Sequence, residues 1–323
     1  MRAVVCKQFG PPEKLVVEDV EDPHAGPGEI VIDMRAVAVT YPEVLIIEDK
    51  YQFKAKPPFV PGGEIAGVVS EVGEGVTGFA KGDAVVGASG LTGGFAEKVC
   101  AKAASARRMP EGLAFEQATG LMYSYGTSWY ALKYRGALQP GETLLVLGAA
   151  GNVGLAAVEL GKLLSARVIA VASSEEKRAL CRERGADEAL DTEDDLKSRV
   201  KELTGGNGVD VVYDAIGGKY AEPVLRATAW GGRYLVIGFT AGIPKIPLNL
   251  TLLKSCQIVG VFFGAMTMRE PALAAEIQRE LLDLVARKEL VPYVWKSFPL
   301  AQAAQALSAL RERRARGKVV LVP

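Results

Sequence analysis

The segment Leu144-Leu145-Val146-Leu147-Gly148-Ala149-Ala150-Gly151-Asn152-Val153-Gly154 constrains this chain more than any other. Four apolar residues run into a glycine-rich turn, and an apolar helical pattern opens at Leu155 with no linker between. Such a turn lets backbone N–H groups approach a pyrophosphate, and the helix N-terminus adds positive potential. The spacing of Ala149, Gly151 and Gly154 is that of the dinucleotide fingerprint, with alanine replacing the first glycine. Alone the pattern is weak, and a tight turn with no ligand would satisfy it. Its setting makes it strong. The segments 143–147, 155–164, 167–172, 175–184, 209–214 and 233–237 alternate strand and helix. Alternation of this kind predicts an α/β fold with a parallel, doubly wound sheet. Residues Gln257 to Phe263 read as its last strand. A P-loop is excluded, because Gly161-Lys162 is followed by Leu163.

The end of the second strand bears on the nucleotide. NAD sites place an acid there to accept from the ribose hydroxyls. Here Val168–Ala172 ends in Ser173-Ser174, with Lys177-Arg178 beyond. Two hydroxyls and a cation suit a 2′-phosphate, so the expected cofactor is NADPH, with Ser173, Ser174 and Lys177 meeting the phosphate. A solvated helix face is the other reading of Lys177. Ser173 with Glu176 has the spacing of a capping box.

The first 120 or so residues read as short strands separated by turns, a β-barrel or sandwich. Tyr41-Pro42 breaks the alternating run from Ile30 to Val39. At Phe115 the character changes, and Phe115 to Leu132 reads as mostly helix. The C-terminal part has helical patterns at 272–288 and 301–313, then a strand at 318–322. The run Arg311 to Arg316 reads as an anion site or as a charged helix face.

Composition removes several classes of function. Acids and bases balance at 38 each, so no global field draws the chain to nucleic acid or an anionic membrane. No apolar run approaches the ~18 residues of a membrane helix. The four cysteines, Cys6, Cys100, Cys181 and Cys256, form no CxxC pair, which excludes a zinc ribbon and suits a reducing, cytoplasmic setting. The single histidine, His24, stands in a Pro/Gly-rich turn, which argues against a Ser-His-Asp hydrolase and against His-rich metal sites.

Four segments carry a family resemblance: Pro58 to Val69 (PFVPGGEIAGVV), Val72 to Val85 (VGEGVTGFAKGDAV), Gly148 to Gly154, and Gly317 to Leu321 (GKVVL). Together they resemble the zinc-free quinone oxidoreductase-like branch of the medium-chain dehydrogenase/reductase superfamily. The resemblance implies a GroES-like β-rich catalytic domain from residues 1–120 and 266–323, with a Rossmann domain of residues 121–265 inserted between. Zinc members of the superfamily carry a Cys near position 40, a His-Glu pair where Gly63-Glu64 stands, and four cysteines after position 90. This sequence has Thr40, Gly63 and only Cys100 there, so no metal site is expected.

Without a Lewis acid, the expected chemistry is hydride reduction of an activated small molecule, a quinone or a conjugated enone. An enoyl thioester reductase, a zinc-free dehydrogenase with another acceptor, and a non-enzymatic NADPH-binding protein remain open alternatives. The family usually has Asn near the nicotinamide where Thr40 stands. Tyr41 and Tyr51 in the following loop either donate a proton or wall the pocket. Asn152 replaces the second glycine of a Gly-Gly pair, and asparagine tolerates the left-handed conformation. The resemblance places Thr127 near the nicotinamide ribose and Thr192 near the adenine. Strand ends bring in Val153 with its turn, Ile216-Gly217, Gly238-Phe239 and Phe262-Phe263. Lys318, on the returning tail, is expected to reach the cofactor. A homodimer joined through the 257–263 edge is expected.

Overall fold

Six parallel strands form the sheet around the glycine turn, in the order Glu188–Asp191, Arg167–Ala172, Thr143–Leu147, Val209–Asp214, Thr228–Val236 and Gln257–Gly260. Leu144–Leu147 and Val168–Val171 are fully buried. Such continuous apolar runs are what a sheet covered on both faces requires. The strand order reverses between Thr143–Leu147 and Val209–Asp214, which puts the glycine turn at the topological switch point.

This computed structural model describes residues 1–323. They divide into two units, Met1–Met122 with Leu282–Pro323, and Tyr123–Leu281. The β-rich unit thus draws on both ends of the chain, but the return falls at 282 rather than 266. The reason is Glu280, whose carboxylate takes bonds from Trp129 Nε1 (2.6 Å), Lys133 Nζ (2.6 Å) and the Tyr134 hydroxyl (3.3 Å). These tie most of the helix Pro271–Ala286 to the nucleotide-type unit.

The β-rich unit contains a sheet in the order Val294–Pro299, Lys318–Val322, Glu29–Val39, Glu64–Val72, Ala84–Ala88, Ala106–Arg108, with Lys98–Lys102 paired to Glu29–Val39. A ribbon of Arg2–Val5 and Val16–Asp19 stands apart from it.

Two local readings need correction, and a third holds with a detail added. The last strand of the parallel sheet stops at Gly260, and Phe263–Arg269 is helical. The Phe263 ring is buried against Gly126 and Tyr130 (centroids 6.0 Å apart), which draws the chain off the sheet edge. The helical stretch from Phe115 breaks at Thr119–Gly120, where Gly120 has φ +88°. There the buried Lys318 ammonium donates to the carbonyls of Gln117 (2.9 Å) and Thr119, groups a helix end leaves unsatisfied. Beyond it, short π-helical turns at 121–125 and 130–135 flank the α-helical Gly126–Trp129. Finally, Tyr41-Pro42 ends the strand by opening a helix, Tyr41–Ile47, with proline in the first turn, where its missing N–H is harmless.

Candidate cofactor site and the Thr40 helix

Close backbone approach explains the glycines of the turn. A Cβ on Gly154 would lie 2.2 Å from the Gly148 carbonyl oxygen, and Gly148 itself has φ +71°. Strand, turn and the twelve-residue helix Asn152–Leu163 meet only because no side chains intervene there. Ala149 and Ala150 are buried and Gly151 is exposed as the residue before the helix. Nδ2 of Asn152 is buried without a hydrogen-bond partner. A buried donor left unmade costs about 1–3 kcal/mol, so the helix start carries a donor that an incoming anion would satisfy. Val153 is held by its carbonyl, which accepts from the Ser128 hydroxyl (2.8 Å); that hydroxyl also bonds the Tyr213 phenol (2.9 Å). Thr127, one residue earlier, is thereby fixed beside the glycine turn.

Asp214 organises the neighbouring strand end. It is buried, its Oδ1 accepts from the N–H groups of Ile216 (2.9 Å) and Gly217 (2.8 Å), and its Oδ2 accepts from the Tyr234 hydroxyl (2.5 Å). Gly217 has φ +64°, the left-handed region. The loop rests against the turn, since a Cβ on Gly148 would meet Ile216 Cγ2 at 2.8 Å. Burial and the Asp214 charge push the Tyr234 phenol well above its ordinary range, so its proton stays on the bond to Asp214. The Gly238 N–H donates to the Asp214 carbonyl (3.2 Å), and Phe239 is half-exposed beside Gly217.

At the second strand end the capping residue is Ser174, one position later than the Ser173–Glu176 reading. Its hydroxyl accepts from the Lys177 N–H (3.4 Å) and donates to Glu176 (2.8 Å). Two adjacent serines serve either register, and the helix begins at Glu175. Ser173 is exposed. Arg178 is engaged by Asp191, by Glu175 (3.0 Å) and by the Ala172 carbonyl (3.2 Å), and Lys177 is the neighbouring cation of that turn. Thr192 follows the strand Glu188–Asp191 on the same edge, its hydroxyl on Asp191 (3.4 Å). Phe262 is exposed past the last strand and Phe263 is buried. The expected residues from Ala149 to Phe263 therefore follow the carboxyl ends of the strands of one sheet, and Thr127 is tied to them through the Ser128–Val153 bond.

In the β-rich unit, Thr40 caps the helix Tyr41–Ile47. The Glu43 carboxylate Oε2 accepts the Thr40 N–H (2.7 Å) and hydroxyl (2.5 Å). Glu43 is buried, and burial pushes its carboxyl up to about 7 against the lowering effect of those two bonds. Tyr51 is raised by burial and by the Glu43 charge, so the two groups share one environment. Tyr41 is half-buried at the helix start. Glu43 was missed in the sequence although Thr-Tyr-Pro-Glu before an apolar run is a capping-box signature. Lys318 also belongs to this unit, where its ammonium holds the 117–119 carbonyls.

The positions where the resemblance puts zinc ligands hold other residues in this chain. Thr40 is committed to Glu43. A Cβ on Gly63 would lie 2.0 Å from the Gly90 carbonyl oxygen, so no histidine fits there. Glu64 is buried, with Oε1 accepting the Met122 N–H (2.7 Å). No three His, Cys, Asp or Glu side chains come together as a metal-holding group.

Comparison with known proteins matches residues 26–111 to the alcohol dehydrogenase GroES-like domain and residues 152–279 to the zinc-binding dehydrogenase family. Quinone oxidoreductase-like protein 2 homolog of Nematostella vectensis is 39% identical over 325 residues, 99% of this chain and 88% of that protein. Among solved structures, a mycobacterial protein complexed with NADPH superposes with a TM-score of 0.93 at 32% identity, covering 100% of both chains. Escherichia coli quinone oxidoreductase complexed with NADPH gives 0.91 at 28% identity, again over 100% of both chains.

Proposed function

We propose, for a chain that belongs to the quinone oxidoreductase branch of the medium-chain dehydrogenase/reductase superfamily, that it reduces a quinone or conjugated enone with NADPH and without zinc. The observation that carries this reading is the glycine turn: a close-packed strand end, a helix N-terminus and the unpartnered Asn152 amide at one point. That combination fits a pyrophosphate. NADPH complexes of two proteins of the same fold support it. Bound NADPH supplies the hydride.

The chain's own residues do the rest. Lys177 and Ser173 meet the 2′-phosphate, and Ser174 joins them by giving up Glu176. The loops at Ile216-Gly217 and Gly238-Phe239 and the residues Thr127, Phe262 and Phe263 hold the nicotinamide half, while Thr192 borders the adenine. By the resemblance we read Thr40 as the residue near the nicotinamide, with Tyr41 and Tyr51 as donors or walls. Lys318 acts through the 117–119 segment it anchors. The family match that bears zinc in its description begins at residue 152, beyond Thr40, Gly63 and Glu64. We place the protein in the reducing cytoplasm, which suits its four free cysteines. It works there as a homodimer joined through Gln257–Gly260, whose Ile258 is exposed at the sheet edge.

The test is NADPH oxidation by the purified protein with a panel of quinones, enones and enoyl thioesters. Turnover with a quinone or simple enone is expected. Tight NADPH binding with no acceptor reduced would establish the non-enzymatic alternative instead. Turnover confined to thioesters would narrow the acceptor class.

A further inference from the structure

Glu43 is a carboxyl group buried without a cation. It is 1% exposed, and both bonds to its Oε2 come from Thr40. A capping carboxylate at this helix position normally sits in water, where ionisation costs little. Burying an unpaired one is expensive. The surrounding elements offer no relief. The helix packed alongside, Ala303–Arg311, brings Arg311, but that guanidinium faces Glu13 (3.0 Å) and Glu48 (3.8 Å). Lys318, on the strand paired with Glu29–Val39, is spent on the Gln117 and Thr119 carbonyls. The titratable neighbour that feels Glu43 is Tyr51, a neutral phenol pushed up further by the same charge. Burial accordingly holds the carboxyl near 7, so it keeps its proton below about pH 7.

We infer that Glu43 is the proton reserve for the reduction, and that the Thr40 hydroxyl is the group that hands the proton to the acceptor. This rests on the reading that Thr40 borders the reacting centre. As the electrophilic carbon of the quinone or enone gains its hydride, the acceptor oxygen or α-carbon takes the proton of the Thr40 hydroxyl. With Glu43 protonated the contact between the two oxygens runs the other way, the Glu43 O–H donating to Thr40 Oγ1 and freeing the Thr40 proton for the acceptor, and the Thr40 O–H bond breaks as the Glu43 proton crosses to Oγ1. Glu43 is left as a carboxylate and is reprotonated by solvent between turnovers. The two electrons travel with the hydride and the proton comes from the relay, so the step balances. Glu43 acts through Thr40 and is a positioning residue. Thr40 is the one that touches the acceptor.

The test compares wild type, Glu43→Gln, Thr40→Val and Thr40→Ser with an enone and NADPH. In wild type, kcat falls as pH rises through about 7, because the proton must be present to be given. Glu43→Gln lowers kcat roughly tenfold to a hundredfold, removes that pH dependence and leaves the KM for NADPH in place. Thr40→Val matches this loss, the double variant loses no more, and Thr40→Ser restores the wild-type profile. Independently of turnover, infrared spectra at about pH 6 show a protonated carboxyl that Glu43→Gln lacks. An active wild type whose Glu43→Gln variant keeps the same kcat and pH profile overturns this proposal alone. So does a carboxyl already ionised at about pH 6. A wild type inactive with every acceptor overturns the functional reading, and this proposal with it.

Discussion

Tyr234 donates its hydroxyl to Asp214 at 2.5 Å, and the same carboxylate holds the amides of Ile216 and Gly217. One buried side chain thus joins two parallel strands and shapes the loop that abuts the glycine turn. Asp214→Ala removes three acceptor contacts at once. Charge-assisted bonds are worth about 1.5–3 kcal/mol each, so NADPH affinity should fall at least tenfold and the melting temperature should drop. Asp214→Asn keeps one oxygen for the two amides and should lose much less. Tyr234→Phe leaves the loop bonds intact, with an expected affinity loss below roughly fivefold. Isothermal titration with NADPH beside thermal melts separates these cases.

Lys177 stands in the first turn of the helix that follows the second strand end, beside Arg178, which is engaged by Asp191 and Glu175. Lys177→Ala should weaken NADPH by roughly tenfold to a hundredfold and leave NADH almost unchanged, since only the former carries the 2′-phosphate. Fluorescence titration with both nucleotides measures it. Equal weakening of the two would reduce Lys177 to a helix-surface residue.

The Glu43 carboxyl titrates near 7 in the fold and near 4.5 as a free group. Its folded pKa lies above its unfolded one, so the sign is fixed. Stability is highest below about pH 4.5 as far as this group is concerned, declines as pH rises towards 7, and levels off above. The full penalty at alkaline pH is about 3 kcal/mol. Glu43→Gln should therefore be more stable than wild type at about pH 8 and close to it at about pH 5. Urea unfolding at the two values tests this, and parallel curves would contradict it.

Metal analysis of the purified protein should find no stoichiometric zinc, because Thr40 and Gly63 stand where zinc members of the superfamily carry Cys and His. Incubation with a chelator should leave NADPH oxidation unaltered. Activity lost to the chelator and returned by zinc would reverse the zinc-free mechanism.

The edge strand Gln257–Gly260 exposes Ile258, and Leu252 and Leu253 are exposed on the helix just before it. An unpaired apolar edge invites a second copy. Light scattering should find a dimer at micromolar concentration, and Ile258→Lys should shift it to monomer. A monomeric wild type would remove the proposed assembly.

The glycine turn was legible because close approach admits only glycine, and that requirement is written residue by residue. The parallel sheet followed from the alternation of strands and helices. What stayed hidden depended on partners far along the chain. The bonds from Glu280 to Trp129 and Lys133, which shift the unit boundary, span about 150 residues and leave no local mark. An apolar run such as Val261-Phe262-Phe263 suits a strand or a helix start alike, and the packing of Phe263 on Gly126 decided it. The two serines at 173–174 left the cap uncertain by one residue. Glu43 carried a readable capping signature, but its burial did not follow from spacing, because most such carboxylates face water.

Lys318–Val322 lies inside its sheet, between Val294–Pro299 and Glu29–Val39, and Lys318 ties down the Gln117 and Thr119 carbonyls, 201 and 199 residues earlier. Of the strands in that sheet it leaves the ribosome last. The six-stranded unit of residues 123–281 has all its strands in hand before then, whereas Val37–Val39, the end of Glu29–Val39 beyond its pairing with Lys98–Lys102, waits with one flank open until Lys318–Val322 emerges. Chains emerging from the ribosome fold domain by domain, and unpaired edges are where they go astray. Nascent chains stalled short of Lys318 should accordingly bind chaperones through their N-terminal strands while their nucleotide-type unit is already protected from protease.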